Sequence, residues 1–342
     1  MKISFQFCRT ALLLLLVATP ALADETVTVG INGAASDAPV FIAQRKGYFQ
    51  EEGITVKTSN FQSAAMMVPP LGTGQLDVGA GSASAGLYNA VARGIQIRIV
   101  ADKASSPPGY GATKLLVRKE LIDSGRYKSL NDLKGLKIAT TAPGVSNSSM
   151  LNDVLKSVGL KYSDIKTVDF ASPIDHVAAL KNGSVDGAAA IEPAPTLAVE
   201  GGSAVVIGTD DVISPYHQIA VLLYSQTFAV KTDLATKFMR AYIRAVRFYN
   251  DALKDGRLAG PTAGELISIL TGYTRVKAEI YGKVTPTGMN PDGDVNVRSL
   301  EHDLAFYTEQ GLVKGQIKVD KLVDMSFARA VVKSLGPYRK LQ

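Results

Sequence analysis

Short apolar runs, each bounded by glycine, proline or hydroxyl residues, alternate along this chain with longer segments whose apolar positions recur at helical spacing. From residue 27 the pattern reads "VTVGI", "PVFIAQRKGYF", "ITVKTSNF", "AAMMVPPL", "GQLDVGA", "GLYNAVARG" and "IQIRIV". From residue 136 it runs again as "LKIATT", "SSMLNDVLKSVG", "IKTVDFA", "IDHVAALKNG", "SVDGAAAI", "PTLAVEG" and "AVVIG". Strands alternating with helices predict an α/β fold whose parallel-rich sheets are covered by helices on both faces.

The two runs keep a constant register. Phe61-Gln62-Ser63 pairs with Phe170-Ala171-Ser172, Gly74 with Gly183 and Asp77 with Asp186, each at an offset of 109 residues. One fixed offset over several elements marks a repeated unit, so the chain is expected to form two lobes. "KLLVRK" at 114–119 and "IAVLLYS" at 219–225 are the apolar runs that suit two crossings between them. The expected division is 24–113 for the first part of lobe 1, 114–220 for lobe 2, and 221–342 for the return to lobe 1. The amphipathic stretch "ATKFMRAYIRAVRFYNDALKDG" would cover lobe 1. Hinges are expected near 112–114 and 218–221.

Ligands of open parallel sheets lodge outside the carboxyl ends of the strands. The repeat supplies four such loops: 33–38 (GAASDA), 80–84 (AGSAS), 142–149 (APGVSNSS) and 191–195 (IEPAP). If the lobes face each other, all four converge on one cleft. The third loop opens a helix, where unpaired backbone N–H groups and a partial positive charge suit an anion. It has one glycine, Gly144, and no Gly-Lys-Ser/Thr, so neither the dinucleotide nor the mononucleotide phosphate motif is present. The plainer alternative makes Ser146 a helix cap.

Asp37 and Glu192 place carboxylates in two of the loops. Each is read either as a group at a helix start, beside Pro39 and Pro193, or as a partner for an amine or hydroxyl on the solute. The loops carry no Lys or Arg, so an anion would be held by neutral donors. Tyr110, just before the first crossing, and His217, beside the second, are further candidates for the cleft. His176 is expected at a surface or boundary helix position.

The chain carries a formal charge of +6 with its Lys and Arg residues scattered and no aromatic interleaving, which argues against nucleic-acid binding. "MKISFQFCRTALLLLLVATPALADET" begins with Lys2 and Arg9, continues with a short apolar run broken by Pro20, and offers Ala21-Leu22-Ala23 for cleavage. Residues 1–23 therefore read as a secretory signal peptide. Its removal would take away the only cysteine, Cys8, leaving a periplasmic, cysteine-free protein of net charge +4. "SASAG" at 82–86 lacks the first glycine of a nucleophile elbow, no two histidines have metal-ligand spacing, and "NPDGDV" at 290–295 lacks the further ligands of a calcium loop. Neither catalysis nor a metal or other cofactor is expected.

"PVFIAQRKGYFQEEGI", "GQLDVGAGSA", "SLNDLKGLKIA", "GVSNSSML", "NGSVDGAAAIEPAP", "NPDGDV" and "GLVKGQIKVDKLVDMSF", in that order and spacing, resemble the solute-binding proteins of ABC importers in the group that handles sulfonates, taurine, nitrate and thiamine precursors. The resemblance covers nearly all of the chain after residue 23. It implies the two-lobed periplasmic binding-protein fold and a membrane permease with its ATPase as partners; a monomer is expected from the two crossings, and a small organic anion captured in the cleft from the donor-rich loops. It implies further that Ser146 and Asn147, with Ser148 beside them, donate to the acidic group of the solute, that Ser82 serves from the equivalent loop of lobe 1, and that Glu192-Pro193 closes the cleft from lobe 2. An aromatic residue often precedes that acid in the group, whereas Ile191 stands there in this chain. An aminopyrimidine or an aromatic acid is the alternative solute. The enzymes of the same fold that make the thiamine pyrimidine resemble it with a cysteine cluster, which the expected mature chain lacks.

Overall fold

A computed structural model describes residues 24–341. The stretch read as a signal peptide, with Cys8, lies outside them.

Ten strands form two five-stranded sheets: β1 (Glu25–Ile31), β2 (Ile54–Asn60), β3 (Val78–Gly81), β4 (Ile97–Ser106), β5 (Thr113–Arg118), β6 (Lys137–Thr140), β7 (Lys166–Asp169), β8 (Gly187–Ile191), β9 (Ala204–Thr209) and β10 (His217–Ser225). The first sheet runs β2-β1-β3-β10-β4 and the second β7-β6-β8-β5-β9. In each sheet the first three strands are parallel and the fourth is antiparallel to its neighbours. That antiparallel strand is supplied by the stretch of chain that has just crossed over: β10 completes the first sheet and β5 the second.

The offset of 109 is visible atom by atom. Val29 faces Val78 across β1 and β3, and Ile138 faces Gly187 across β6 and β8. Asp77 Oδ2 accepts the Thr28 N–H at 2.8 Å, and Asp186 Oδ2 accepts the Lys137 N–H at 3.0 Å. Gly74 and Gly183 end the preceding helices with φ of 76° each, a left-handed turn that glycine makes without steric cost.

The chain passes from one sheet to the other through 107–112 and returns through 214–216. The apolar runs "KLLVRK" and "IAVLLYS" are integral strands rather than connectors. β10 is buried along its whole length, which suits a central strand and not an exposed link.

After β10 the chain returns to the first sheet. The helix Thr232–Asp251 lays Phe238, Tyr242, Val246 and Tyr249 into the core beside the helix Ala38–Arg45, with Phe238 stacked 4.9 Å from Phe49. Each such buried side chain contributes about 1.5–3 kcal/mol. Among the described residues no helix is long and apolar enough to cross a membrane. His176, expected near the surface, is fully buried in the helix Pro173–Asn182, with Nε2 3.2 Å from the Phe170 carbonyl. It sits on the face of that helix that packs toward the second sheet, and burial pushes its pKa down.

Candidate functional site

A cavity of about 300 Å³ lies between the two sheets. All four loops named from the sequence reach it: Ala34 and Ser36 from the first, Gly81 and Ser82 from the second, Val145 to Asn147 from the third, and Ile191 from the fourth. Two more loops complete the wall, Phe61–Ala64 after β2 and Ala171–Pro173 after β7. They contain Ser63 and Ser172 of the Phe-x-Ser pair that revealed the repeat, yet nothing in their composition marks them as a binding surface.

The lobes meet at the wall through small groups. Ser82 Oγ donates to the Ile219 carbonyl at 3.0 Å, which leaves Ser146 Oγ to donate to Ser82 Oγ at 3.1 Å. The Ala85 N–H donates to the Gly144 carbonyl at 2.8 Å. Gly144 has φ of 65°, and a Cβ there would fall 2.5 Å from Ala85 Cβ, so only glycine permits this approach.

The helix Ser146–Ser157 begins at this contact. Its cap position is Val145, with no side-chain bond, and the N–H groups of Ser148 and Ser149 turn back to the Val145 carbonyl. Ser146 is thus the first helical residue rather than the cap. The N–H groups of Ser146 and Asn147 have no acceptor within the helix, and both residues line the cavity.

Other expected contacts resolve differently. Asn147 lies on the wall, but its Nδ2 donates to Thr141 Oγ1 at 3.0 Å and to the Ala189 carbonyl at 2.9 Å, so its amide hydrogens tie the loop to β8. What it can offer the cavity is its backbone N–H. Ser148 Oγ donates to the Ala142 carbonyl at 3.2 Å, off the wall. Glu192 is turned behind Ile191, with Oε1 2.7 Å from Lys114 Nζ and 2.9 Å from Thr196 Oγ1. It borders a separate cavity of about 20 Å³ that shares only Ser36 and Ile191 with the main one. Tyr110 packs half-buried against the core of the first lobe and does not reach the wall.

Asp37 is fully buried and also off the wall. It occupies the cap position of the helix Ala38–Arg45 without capping it: Oδ2 accepts the N–H groups of Asn32 at 3.1 Å and Ala34 at 2.9 Å, and Oδ1 lies 2.8 Å from Lys103 Nζ. Lys103 comes from inside β4 and is the one charged side chain on the cavity wall among the described residues. The expectation of a site without basic residues held for the loops and failed for the strand.

Residues 21–259 match the model of one protein family. The chain belongs to the NMT1-like family. Among curated relatives, the nitrate import ATP-binding protein NrtC of Synechococcus elongatus is 28% identical over 251 residues, covering 70% of this chain but only 38% of that protein. The alkanesulfonate-binding protein SsuA of Xanthomonas axonopodis pv. citri, solved bound to MOPS, has a TM-score of 0.70 at 20% identity over 89% of this chain and 99% of its own. The periplasmic nitrate-binding protein NrtA of Synechocystis PCC 6803 has a TM-score of 0.72 at 16% identity over 91% and 89%. At such identities the likeness is one of fold: this NMT1-like chain is a two-lobed binding-protein structure.

His217 lies beside a second meeting of the lobes in this NMT1-like protein, away from the cavity, where it ties β10 to the helix Val297–Glu309 of the first lobe. Its Nε2 lies 3.1 and 3.2 Å from the two Asp303 oxygens, all buried. Across the junction, His302 Nε2 lies 2.8 Å from Asp153 Oδ1 on the helix Ser146–Ser157, and Lys156 of that helix pairs with Glu309 at 2.8 Å. Tyr162 packs edge-on against Phe306 beside them. Burial works against charge on His217, yet Asp303 and the neighbouring carboxylates prevail and raise its pKa. The hydrogen bond to Asp153 raises that of His302. Burial pushes the Asp210 carboxyl up to about 7, against the charge of His217.

Proposed function

We propose that this protein is the substrate-binding component of an ABC import system, taking a small organic anion into the inter-lobe cavity and handing it to a membrane permease with its ATPase. The observation that carries the reading is the first turn of the helix Ser146–Ser157, where the Ser146 and Asn147 amides, with no acceptor within the helix, open on the cavity at the point where the lobes touch. A cavity of about 300 Å³ suits a small organic molecule. Phe61, Ile191 and Ile219 give it apolar surface that a bare inorganic oxyanion would leave uncovered. The wall hydroxyls of Ser82 and Ser146 bond to each other and to a carbonyl rather than to a base, and His217 is held by Asp303 away from the wall. These arrangements favour binding over catalysis. Secretion to the periplasm through cleavage after Ala23 goes with this role and is in keeping with the periplasmic nitrate-binding neighbour.

Thermal shift and calorimetry with short-chain alkanesulfonates, carboxylates, nitrate and sulfate test the reading on protein stripped of any co-purified solute. An organic anion at a hundredfold excess over its Kd should stabilise the fold by about 2.7 kcal/mol. Ser146→Pro, which removes the Ser146 N–H at a first helical position where proline is tolerated, should weaken that ligand by about 1.5–3 kcal/mol, the worth of one bond to a charged group. Small-angle scattering should show contraction on binding. If no organic anion shifts the melting point of the stripped protein, the reading fails.

A further inference from the structure

We infer that Lys103 selects the solute's charge, reaching from β4 into the cavity as its cationic contact, with Asp37 as the residue that positions it. This deepens the proposed function and rests on it. Lys103 is 2% exposed and lies on the cavity wall. Its Nζ is 2.8 Å from Asp37 Oδ1 and donates to Ser36 Oγ at 3.0 Å. An ammonium group has three N–H donors. Among the described residues these two partners account for two directions, and the third has no protein acceptor.

The charges of the pair are also unequally available. Asp37 stands behind the wall, and its Oδ2 is already engaged by the Asn32 and Ala34 amides. Part of its negative charge is thereby met by backbone dipoles, so it does not fully cancel the ammonium. A solute therefore meets Lys103 from the cavity side and Asp37 not at all. An anionic oxygen gains the third N–H, whereas a neutral isostere of the same shape gains only an uncharged contact. A cation would face an ammonium that cannot turn away, because Asp37 and Ser36 fix it. In a wholly structural ion pair the lysine would be indifferent to what fills the cavity.

The test compares matched probes, butanesulfonate against butanesulfonamide and butyrate against butyramide, by calorimetry. The parent should prefer each anion by roughly 10- to 150-fold, the worth of one charge-assisted bond. The double variant Lys103→Met/Asp37→Asn removes both charges together, so no buried charge is left unpaired, and it should bind anion and neutral probe within a few-fold of each other. A folded double variant that keeps the parent's ratio overturns the assignment. Should that variant not fold, the Lys103 side-chain ammonium resonance in nitrogen-15-labelled parent decides: it should move on adding butanesulfonate and stay with butanesulfonamide, and equal or absent movement with both overturns the assignment. A parent that binds the anions with an unmoved Lys103 resonance defeats this inference alone. A parent that binds neither anion defeats the proposed function as well.

Discussion

Around the cavity the lobes touch through small uncharged groups, Gly144 against Ala85 and Ser146 against Ser82, whereas two turns further along the same helix they meet through Asp153, Lys156 and their ionic partners. The small-group contact depends on close backbone approach and is broken by a single added methyl. The ionic seam depends on protonation and on the pairing of buried charge. Contact at the cavity is thus a matter of shape, and cohesion at the seam a matter of charge. The two should respond to different perturbations.

The largest expected effect is at the seam. Asp303→Ala leaves His217 buried without its carboxylate, and breaking a buried pair in this way costs about 3–5 kcal/mol. Urea denaturation should report that loss, while the affinity of the folded fraction for an identified solute changes little. A loss below about 1 kcal/mol would place the rigidity elsewhere. Gly144→Ala should act in the opposite way. The left-handed backbone costs an alanine about 1–2 kcal/mol, and its Cβ strikes Ala85, so closure suffers more than folding. Calorimetry should show at least tenfold weaker binding, and scattering a more open particle. Parent-like binding would remove the small-group contact from the closing step.

pH should touch the seam first. His217, His302 and Asp210 all have raised pKa values, so the folded state holds more protons than the unfolded one. The histidine contribution is fully present below about 6.5 and is lost as pH rises through the folded values. The Asp210 contribution is lost between the ordinary carboxyl value of 3.8 and about 7. Asp153 has the opposite sign. Burial raises its pKa, but hydrogen bonds from His302 and Ser214 lower it overall, so its contribution disappears only in acid. Melting temperature should therefore be higher at pH 6 than at pH 8, and Asp210→Asn should be more stable than the parent at pH 8. An unchanged difference between the two pH values in Asp210→Asn would rule out that carboxyl as a source. The smallest effect is expected from His302→Gln, about 0.5 kcal/mol, because that histidine side chain is half exposed and solvent screens the pair.

The repeat, the alternation of strands and helices and the four loops at the strand ends were legible because each rests on local periodicity or on a glycine that only one backbone shape requires. Gly74, Gly183, Asp77 and Asp186 do the same work at both copies. Ser82, Ser146 and Asn147 reached the wall for the same reason: they follow strand ends. The misses share another cause. Glu192, Asp37 and His217 are polar residues near the cleft whose partners, Lys114, Lys103 and Asp303, come from distant parts of the chain. A carboxylate in a loop looks free until the strand that neutralises it is folded beside it. Lys103 escaped notice within "IRIVADKASS", where an apolar strand pattern hides two adjacent buried charges, Asp102 and Lys103. A lysine well inside so buried a strand, unlike Arg98 near its start, was the available signal.

The helix Ser146–Ser157 presents its first turn to the cavity and its Asp153 and Lys156 to the seam. Its twelve residues form a rod about 18 Å long, too short and too regular to bend between those ends. A substitution that re-aims the first turn for a new solute must also carry Asp153 against His302. In a lineage changing its diet, solute preference and acid tolerance would therefore drift together, since selection on either end of the rod is felt at the other.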